Sequence, residues 1–314
     1  MPLSSVIRHH GPVRTATDET GSAHPASGLD RMPAPALVLG AIVSVQLGAS
    51  IGRRLFDDLG ASGVTLLRVG IAAAVMLIVL RPRVGQWTAS AWRAAVLLGL
   101  TMASMNLLFY QAIRTVPLGV AVTVEFLGPL LMALAQTRRL IDLAWALLAA
   151  GGVAFLGYDP GGVVPITGLV LAFLAGLCWA AYILASANLG QAVAGSEGLA
   201  VSLAVAALVV FPFGIGGSLG VVTRPALLIP AAAVALLSSI IPYGLELAAL
   251  RRIPTRVFGV LMSIEPAAAA LAGLVVLGQS LAAREIIALV LVSLASVGIT
   301  LARRSDGPVL QPLE

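Results

Sequence analysis

The stretch PTRVFGVLMSIEPAAAALAGLVVLG, residues 254–278, contains an apolar run from 257 to 278 whose single charged side chain is Glu265. This run has 22 residues. An α-helix rises roughly 1.5 Å per residue, and a hydrocarbon core is about 30 Å thick. The stretch therefore predicts a helix that crosses a membrane with a carboxyl group near its centre.

A carboxylate at that depth raises the free energy of membrane insertion by about 2.5–3.5 kcal/mol, and it usually faces a cavity or a partner. Pro266 follows Glu265 directly. Proline lacks a backbone N–H and disfavours the helical conformation of the preceding residue, so we expect the helix to kink or open there. The alternative is a kinked packing helix in which a structural hydrogen bond holds Glu265.

Composition places the whole chain in the same apolar environment. Of its 314 residues, 59% are hydrophobic and 11% are charged, and the mean hydropathy is +1.01. A soluble globule needs more polar side chains than this, so we predict a polytopic, all-α membrane protein. The net charge of +5 does not indicate nucleic-acid binding, because the arginines lie at the ends of apolar runs.

Apolar runs bounded by charges, Gly and Pro predict ten transmembrane helices. The loops between them are short, which excludes a catalytic domain outside the membrane. The ten spans are 34–51, 60–80, 91–113, 117–136, 141–158, 166–188, 197–219, 226–249, 256–278 and 282–302.

Arginine distribution predicts the orientation of these spans. With a cytoplasmic N-terminus, the inside segments hold 13 arginines and the outside loops hold five, so both termini are predicted to be cytoplasmic. Residues 1–32 and 303–314 are predicted to be tails, the first of them disordered. Membrane lipid surrounds the spans in this prediction, and the residues set no oligomeric state.

The chain also repeats itself. A shift of 137 residues places Pro117 on Pro254 and Pro129 on Pro266. The fourth span therefore corresponds to the ninth, which predicts two five-helix repeats, 34–158 and 166–302. Five is an odd number of spans, so the second repeat enters the membrane inverted. Inverted repeats are typical of secondary transporters, whose substrate site lies near the membrane midplane.

Polar side chains within the spans are the candidate site residues. Four are ionisable: Glu265, Glu125, Arg68 and Glu246. Their polar neighbours are Asn106, Tyr110, Gln111 and Tyr243, and the predicted helix breaks lie at Pro129, Pro266 and Pro242. A buried carboxyl group can load and release a proton, as proton-coupled exchange requires.

Alternatives remain open for two of these residues. Arg68 could bind a substrate carboxylate, neutralise Glu125 or cap backbone carbonyls. Glu246 could line a cavity with Tyr243 or pair with Arg251 on its own helix.

No motif indicates an enzyme or a metal site. The sequence has no HExxH, GxSxG or Cys/His metal pattern, and the Gly-rich patches lack the GKS/T of a phosphate loop. His9 and His10 have no other metal-ligand types close by in the tail. We therefore expect no metal and no cofactor.

Several segments resemble the EamA-like branch of the drug/metabolite transporter superfamily, and within it the bacterial inner-membrane exporters of threonine and homoserine. They are GASGVTLLR (60–68), MNLLFYQAIRTVPLGVAVTVEFLGPL (105–130), CWAAYIL (178–184) and IPYGLELAALRRIPTRVFGVLMSIEPAAAALAG (241–273). The resemblance implies proton-driven efflux of small amino acids without ATP. Those exporters usually have Gly-Glu after the ninth helix, where this chain has Gly278-Gln279.

The leading hypothesis is a proton antiporter that exports threonine, homoserine or similar amino acids by alternating access. A zwitterion needs a cationic and an anionic partner, which Arg68 and the two glutamates 125 and 265 could supply. Alternatives are an importer or a drug exporter of the same fold, a non-transporting membrane component, and a membrane enzyme. Polar side chains such as Asn106 and Gln111 argue against walls that bind lipophilic drugs.

Overall fold

The computed structural model describes residues 32–135, 140–157, 164–193, 196–250 and 252–302. Within these ranges the chain is helical and has no β-strand. Both predicted tails, apart from Met32, lie outside the described residues. The chain is an all-α, multi-pass membrane protein, as its composition predicts.

Fourteen α-helices make up the described part. They are α1 (Ala34–Arg54), α2 (Phe56–Leu80), α3 (Ala89–Ala112), α4 (Leu118–Glu125), α5 (Leu127–Ala135), α6 (Leu140–Gly157), α7 (Ile166–Ala192), α8 (Glu197–Ser218), α9 (Gly220–Thr223), α10 (Leu228–Ala235), α11 (Ile241–Leu250), α12 (Thr255–Met262), α13 (Glu265–Leu277) and α14 (Ala283–Ala302). A π-helical turn, Leu236–Ile240, joins α10 to α11.

Eight helical segments of the described chain are long and apolar enough to cross a membrane. Two shorter apolar stretches, Leu118–Met132 and Leu143–Phe155, coincide with the fourth and fifth predicted spans. The ten predicted spans therefore all have a helical counterpart. The ends differ by a few residues in places: α1 continues to Arg54 and α7 to Ala192.

The fourth and ninth spans are each broken into two helices. The break lies at Phe126 between α4 and α5, and at Ser263 and Ile264 between α12 and α13. Proline has no N–H to donate to the carbonyl four residues earlier. Pro129 thus leaves the Glu125 carbonyl without its helical donor, which explains why that break precedes the proline.

Helix pairs with many small residues at their contacts build the core. α2 packs on α8, α3 on α7, α6 on α14, and α1 on α11. At the α2–α8 contact, Gly63 faces the backbone of Gly217 and Ser218. Small residues let backbones approach closely, which is how membrane helices associate when apolar burial supplies no driving force.

The break in the fourth span also depends on such an approach. A side chain added at Gly176 of α7 would meet the backbone carbonyl of Glu125, and one added at Gly128 would meet the Gly176 carbonyl. The last turn of α4 is therefore seated directly against the α7 backbone. Only glycine fits at these two positions without moving a helix.

We expect Gly176→Ala to destabilise the protein by about 1–3 kcal/mol, because the added methyl group forces α4 and α7 apart. Gly190→Ala, on the same helix with open space around the new methyl group, is the matched control and should be neutral or stabilising by up to about 1 kcal/mol. Thermal unfolding of the detergent-solubilised variants measures both. Equal melting temperatures for the two variants would contradict the close approach.

Candidate functional site

Glu265 is the first residue of α13 and is buried, with 9% of its surface exposed. Its Oε1 accepts a hydrogen bond of 3.2 Å from Nε2 of Gln46 in α1. The position at a helix N-terminus favours a negative charge, because the first backbone N–H groups of a helix have no internal acceptor. The break at Ser263 and Ile264 is what creates this N-terminus inside the span.

Glu125 is the last residue of α4 and is also buried. It lies close enough to Glu265 and Arg68 to interact with both electrostatically. The two breaks therefore bring one carboxyl group from the fourth span and one from the ninth into the same region. Sequence reasoning placed both residues near the membrane centre, and the structure adds that they end and begin broken helices.

Arg68 of α2 is buried against the π-helical turn. Its Nη2 donates to the Ser238 carbonyl at 2.7 Å, and its Nε donates to Ser239 Oγ at 3.2 Å. Residue 242 would be the helical donor to Ser238, but it is a proline. Arg68 thus caps a carbonyl that Pro242 cannot reach, which is one of the roles that the sequence left open.

A second carbonyl of the π-helical turn is capped in the same way. The Ile241 N–H bonds to the Leu236 carbonyl, one residue further back than in an α-helix. The Leu237 carbonyl is left over and accepts a 2.7 Å hydrogen bond from Ser44 Oγ in α1. The wide turn before Pro242 is therefore held by side chains from two neighbouring helices.

Tyr110 of α3 extends the site around Arg68. The Arg68 guanidinium carbon lies 5.4 Å from the centre of the Tyr110 ring, within the range of a cation–π contact. The ring is fully buried and packs against Phe56 and Gly52. Within the described chain the Tyr110 hydroxyl group has no hydrogen-bond partner.

Glu246 and Tyr243 lie on α11 at the edge of this region. Tyr243 hydrogen-bonds to Tyr182 of α7, and Tyr243 also lies within electrostatic range of Arg68. Glu246 is close enough to Glu265 to interact electrostatically. The alternative partner of Glu246, Arg251, lies outside the described residues.

Two of the predicted site residues have other contacts. Asn106 Nδ2 donates to the Met102 carbonyl in its own helix at 2.7 Å. Gln111 lies in the last turn of α3, where its Nε2 donates to Ser62 Oγ and its Oε1 accepts from Arg114. These contacts tie Gln111 to the membrane edge rather than to the glutamates.

Sequence reasoning missed Gln46, which is 3% exposed and bonded to Glu265. A signal was present, since Gln46 is a polar amide in the middle of the first apolar run. The candidate residues are the four ionisable side chains and polar neighbours on the third and eighth spans, so the first span contributes none.

Gln279, which follows the ninth span, caps a helix. Its Oε1 accepts a 3.0 Å hydrogen bond from the Leu118 N–H at the start of α4. It borders a cavity of about 560 Å³ at one end of the helices, which Arg53 and Pro117 also line. Glu125, Glu246 and Glu265 do not line this cavity. Among the described residues, no three His, Cys, Asp or Glu side chains are grouped so as to hold a metal ion.

Comparison with known proteins agrees with this architecture. The model of the EamA-like transporter family matches residues 166–301. The threonine/homoserine exporter RhtA of Salmonella typhimurium is 41% identical over 278 residues, which cover 88% of this chain and 94% of the exporter. The chain belongs to the EamA-like transporter family. This family assignment confirms the resemblance seen in the sequence.

A second exporter is similar to this EamA-like chain over almost the same length. RhtA of Escherichia coli K12, also a threonine/homoserine exporter, is 39% identical over 276 residues, covering 87% of this chain and 93% of that protein. One crystal structure aligns with a TM-score of 0.52 at 19% identity over 85% of this chain and 96% of the other, which supports the fold alone. The two exporters and the matched family are transporters and not enzymes, so the EamA-like chain is a transport protein.

Proposed function

We propose that this chain is a secondary active transporter that exports small hydrophilic amino acids of the threonine and homoserine type by proton antiport. The observation that carries the proposal is the 41% identity to a threonine/homoserine exporter over 94% of that exporter's length. The protein would act in the cell inner membrane with both termini in the cytoplasm, and protons and the amino acid would be its partners, without a cofactor.

The buried charges suit a zwitterionic substrate. Arg68 uses two N–H groups on Ser238 and Ser239, and a guanidinium has five. Donors therefore remain for a substrate carboxylate, which a guanidinium binds well. The carboxyl groups of Glu125 and Glu265 supply the negative side of the site and the proton-carrying groups.

Alternating access needs two halves that can move against each other. The contacts between helices support a division of the chain into two such halves. α4 packs on α13, α6 on α14 and α2 on α8, and each pair joins equivalent spans of the proposed repeats 34–158 and 166–302. The same 137-residue shift relates the helix starts at Leu118 and Thr255 and the breaks at Phe126 and Ser263. The glutamates lie at those breaks, between the halves, where a transporter of this plan binds its substrate.

A transport assay tests the proposal. In vesicles with an interior one pH unit more acidic than the medium, purified protein should accumulate threonine or homoserine about tenfold, because one proton exchanged across one pH unit supplies about 1.4 kcal/mol. Protein-free vesicles and vesicles without the gradient are the controls. Uptake that ignores the gradient would contradict antiport, and uptake of ethidium without threonine would indicate a drug exporter instead.

A further inference from the structure

Two buried oxygen atoms, on two side chains that are hydrogen-bonded to each other, have no hydrogen-bond partner in the described part of the chain. They are Gln46 Oε1 and Glu265 Oε2. The other polar atoms of the same two groups bond to each other, Nε2 of Gln46 to Oε1 of Glu265. The bonded pair therefore presents two unused acceptors within one buried region.

No donor in the described part of the chain bonds to these acceptors, although the hydroxyl groups of Ser238 and Tyr110 are also without a partner there. Ser44 donates to the Leu237 carbonyl, Ser50 donates to the Gln46 carbonyl, and Arg68 donates to Ser238 and Ser239. An unpaired buried acceptor costs about 1–3 kcal/mol, so proteins rarely retain two together. The position calls for a group that carries several donors and no acceptor.

We propose that Gln46 Oε1 and Glu265 Oε2 bind the ammonium group of the substrate. This inference rests on the proposed function and assigns one end of the amino acid to a defined pair of atoms. An ammonium group has three N–H donors and no acceptor, and its positive charge strengthens the hydrogen bond to a carboxylate. Gln46 is then a specificity-determining residue on α1, opposite the N-terminus of α13.

The amide group of Gln46 also suits exchange of the ammonium group for a proton. It donates from Nε2 to a charged Glu265, and after rotation it accepts through Oε1 from a protonated one. A proton on Glu265 removes the negative charge that holds the ammonium group. Proton and substrate therefore compete for the same carboxyl group, which is what antiport requires.

The test compares homoserine with its analogue in which a hydroxyl group replaces the ammonium group. Wild type should prefer homoserine strongly in competition for uptake. Gln46→Met keeps the side-chain volume and removes the acceptor, so the preference should fall about tenfold or more, the range for losing a hydrogen bond to a charged group. Ser50→Ala, a buried position one turn away on α1, is the control and should keep the wild-type preference.

An unchanged preference for homoserine in Gln46→Met would overturn the ammonium site. So would a loss of this preference in Ser50→Ala as large as that in Gln46→Met. If wild type transports neither threonine nor homoserine, the proposed function fails, and a binding measurement still decides the site. Ethylammonium chloride should then raise the melting temperature of wild type more than tetraethylammonium chloride at equal concentration, and Gln46→Met should abolish the difference. The same melting temperatures are measured if Gln46→Met inserts but does not transport. Equal shifts in the melting temperature of wild type by the two salts would overturn the site.

Discussion

Glu265→Gln is expected to abolish accumulation driven by a pH gradient. The glutamine keeps the shape of the side chain and an oxygen that can accept the hydrogen bond from Gln46, but it cannot carry a proton. With an acid interior, wild type should concentrate threonine about tenfold per pH unit, whereas the variant should reach an inside-to-outside ratio of about one. Steady-state uptake of labelled threonine measures this ratio.

The matched control is Glu285→Gln. Glu285 is buried as well, but its Oε2 accepts from the Ala282 N–H at the start of α14 at 2.7 Å, a helix-capping contact. Glutamine preserves an acceptor for that bond, so this variant should accumulate threonine like wild type. If Glu265→Gln is inserted, melts like wild type and still responds to the gradient, then the proton is carried elsewhere and our assignment of Glu265 is wrong.

The helical spans could be predicted because each is a long apolar run, and the membrane admits few alternatives to a helix. Glu265 and Glu125 stood out for the same reason, since a charge in such a run is costly. An amide is cheaper to bury than a charge, so Gln46 gave a weaker signal in the sequence although it contacts Glu265 directly.

The remaining features depend on distant contacts. The break at Phe126 lies where the Glu125 carbonyl meets Gly176, and these two residues are far apart in the chain. The π-helical turn depends on Arg68 and Ser44, which come from two other helices. Gln111 is different, because its pairing with Arg114 three residues later is a local one that a helical reading of the sequence could have found.

Arg68→Met should destabilise the protein by about 2–4 kcal/mol, because it removes a hydrogen bond to a charged group and leaves the Ser238 carbonyl unpaired in the membrane interior. Methionine keeps the apolar stem but lacks the guanidinium, so the cation–π contact with Tyr110 is lost as well. Thermal unfolding in detergent, together with the yield of folded protein, measures the loss. A variant as stable as wild type would show that the contact with the π-helical turn contributes little.

Pro242→Ala separates this capping role from a general loss of packing. Alanine restores an N–H four residues after Ser238, so the helix itself can donate to the carbonyl that Arg68 otherwise caps. Pro242→Ala should therefore recover about 1–2 kcal/mol in the Arg68→Met background and less in wild type, a coupling typical of residues that share a partner. Pro212→Ala in α8 is the control, because Pro212 is also inside a span but the carbonyl four residues before it belongs to Leu208, which faces the outside.

Arg68 and Pro242 then form one unit: the proline opens the turn, and the arginine binds the carbonyl that the opening exposes. Additive effects of Arg68→Met and Pro242→Ala on the free energy of unfolding would contradict this unit. If the double variant recovers stability but not transport, the Arg68 guanidinium also contacts the substrate.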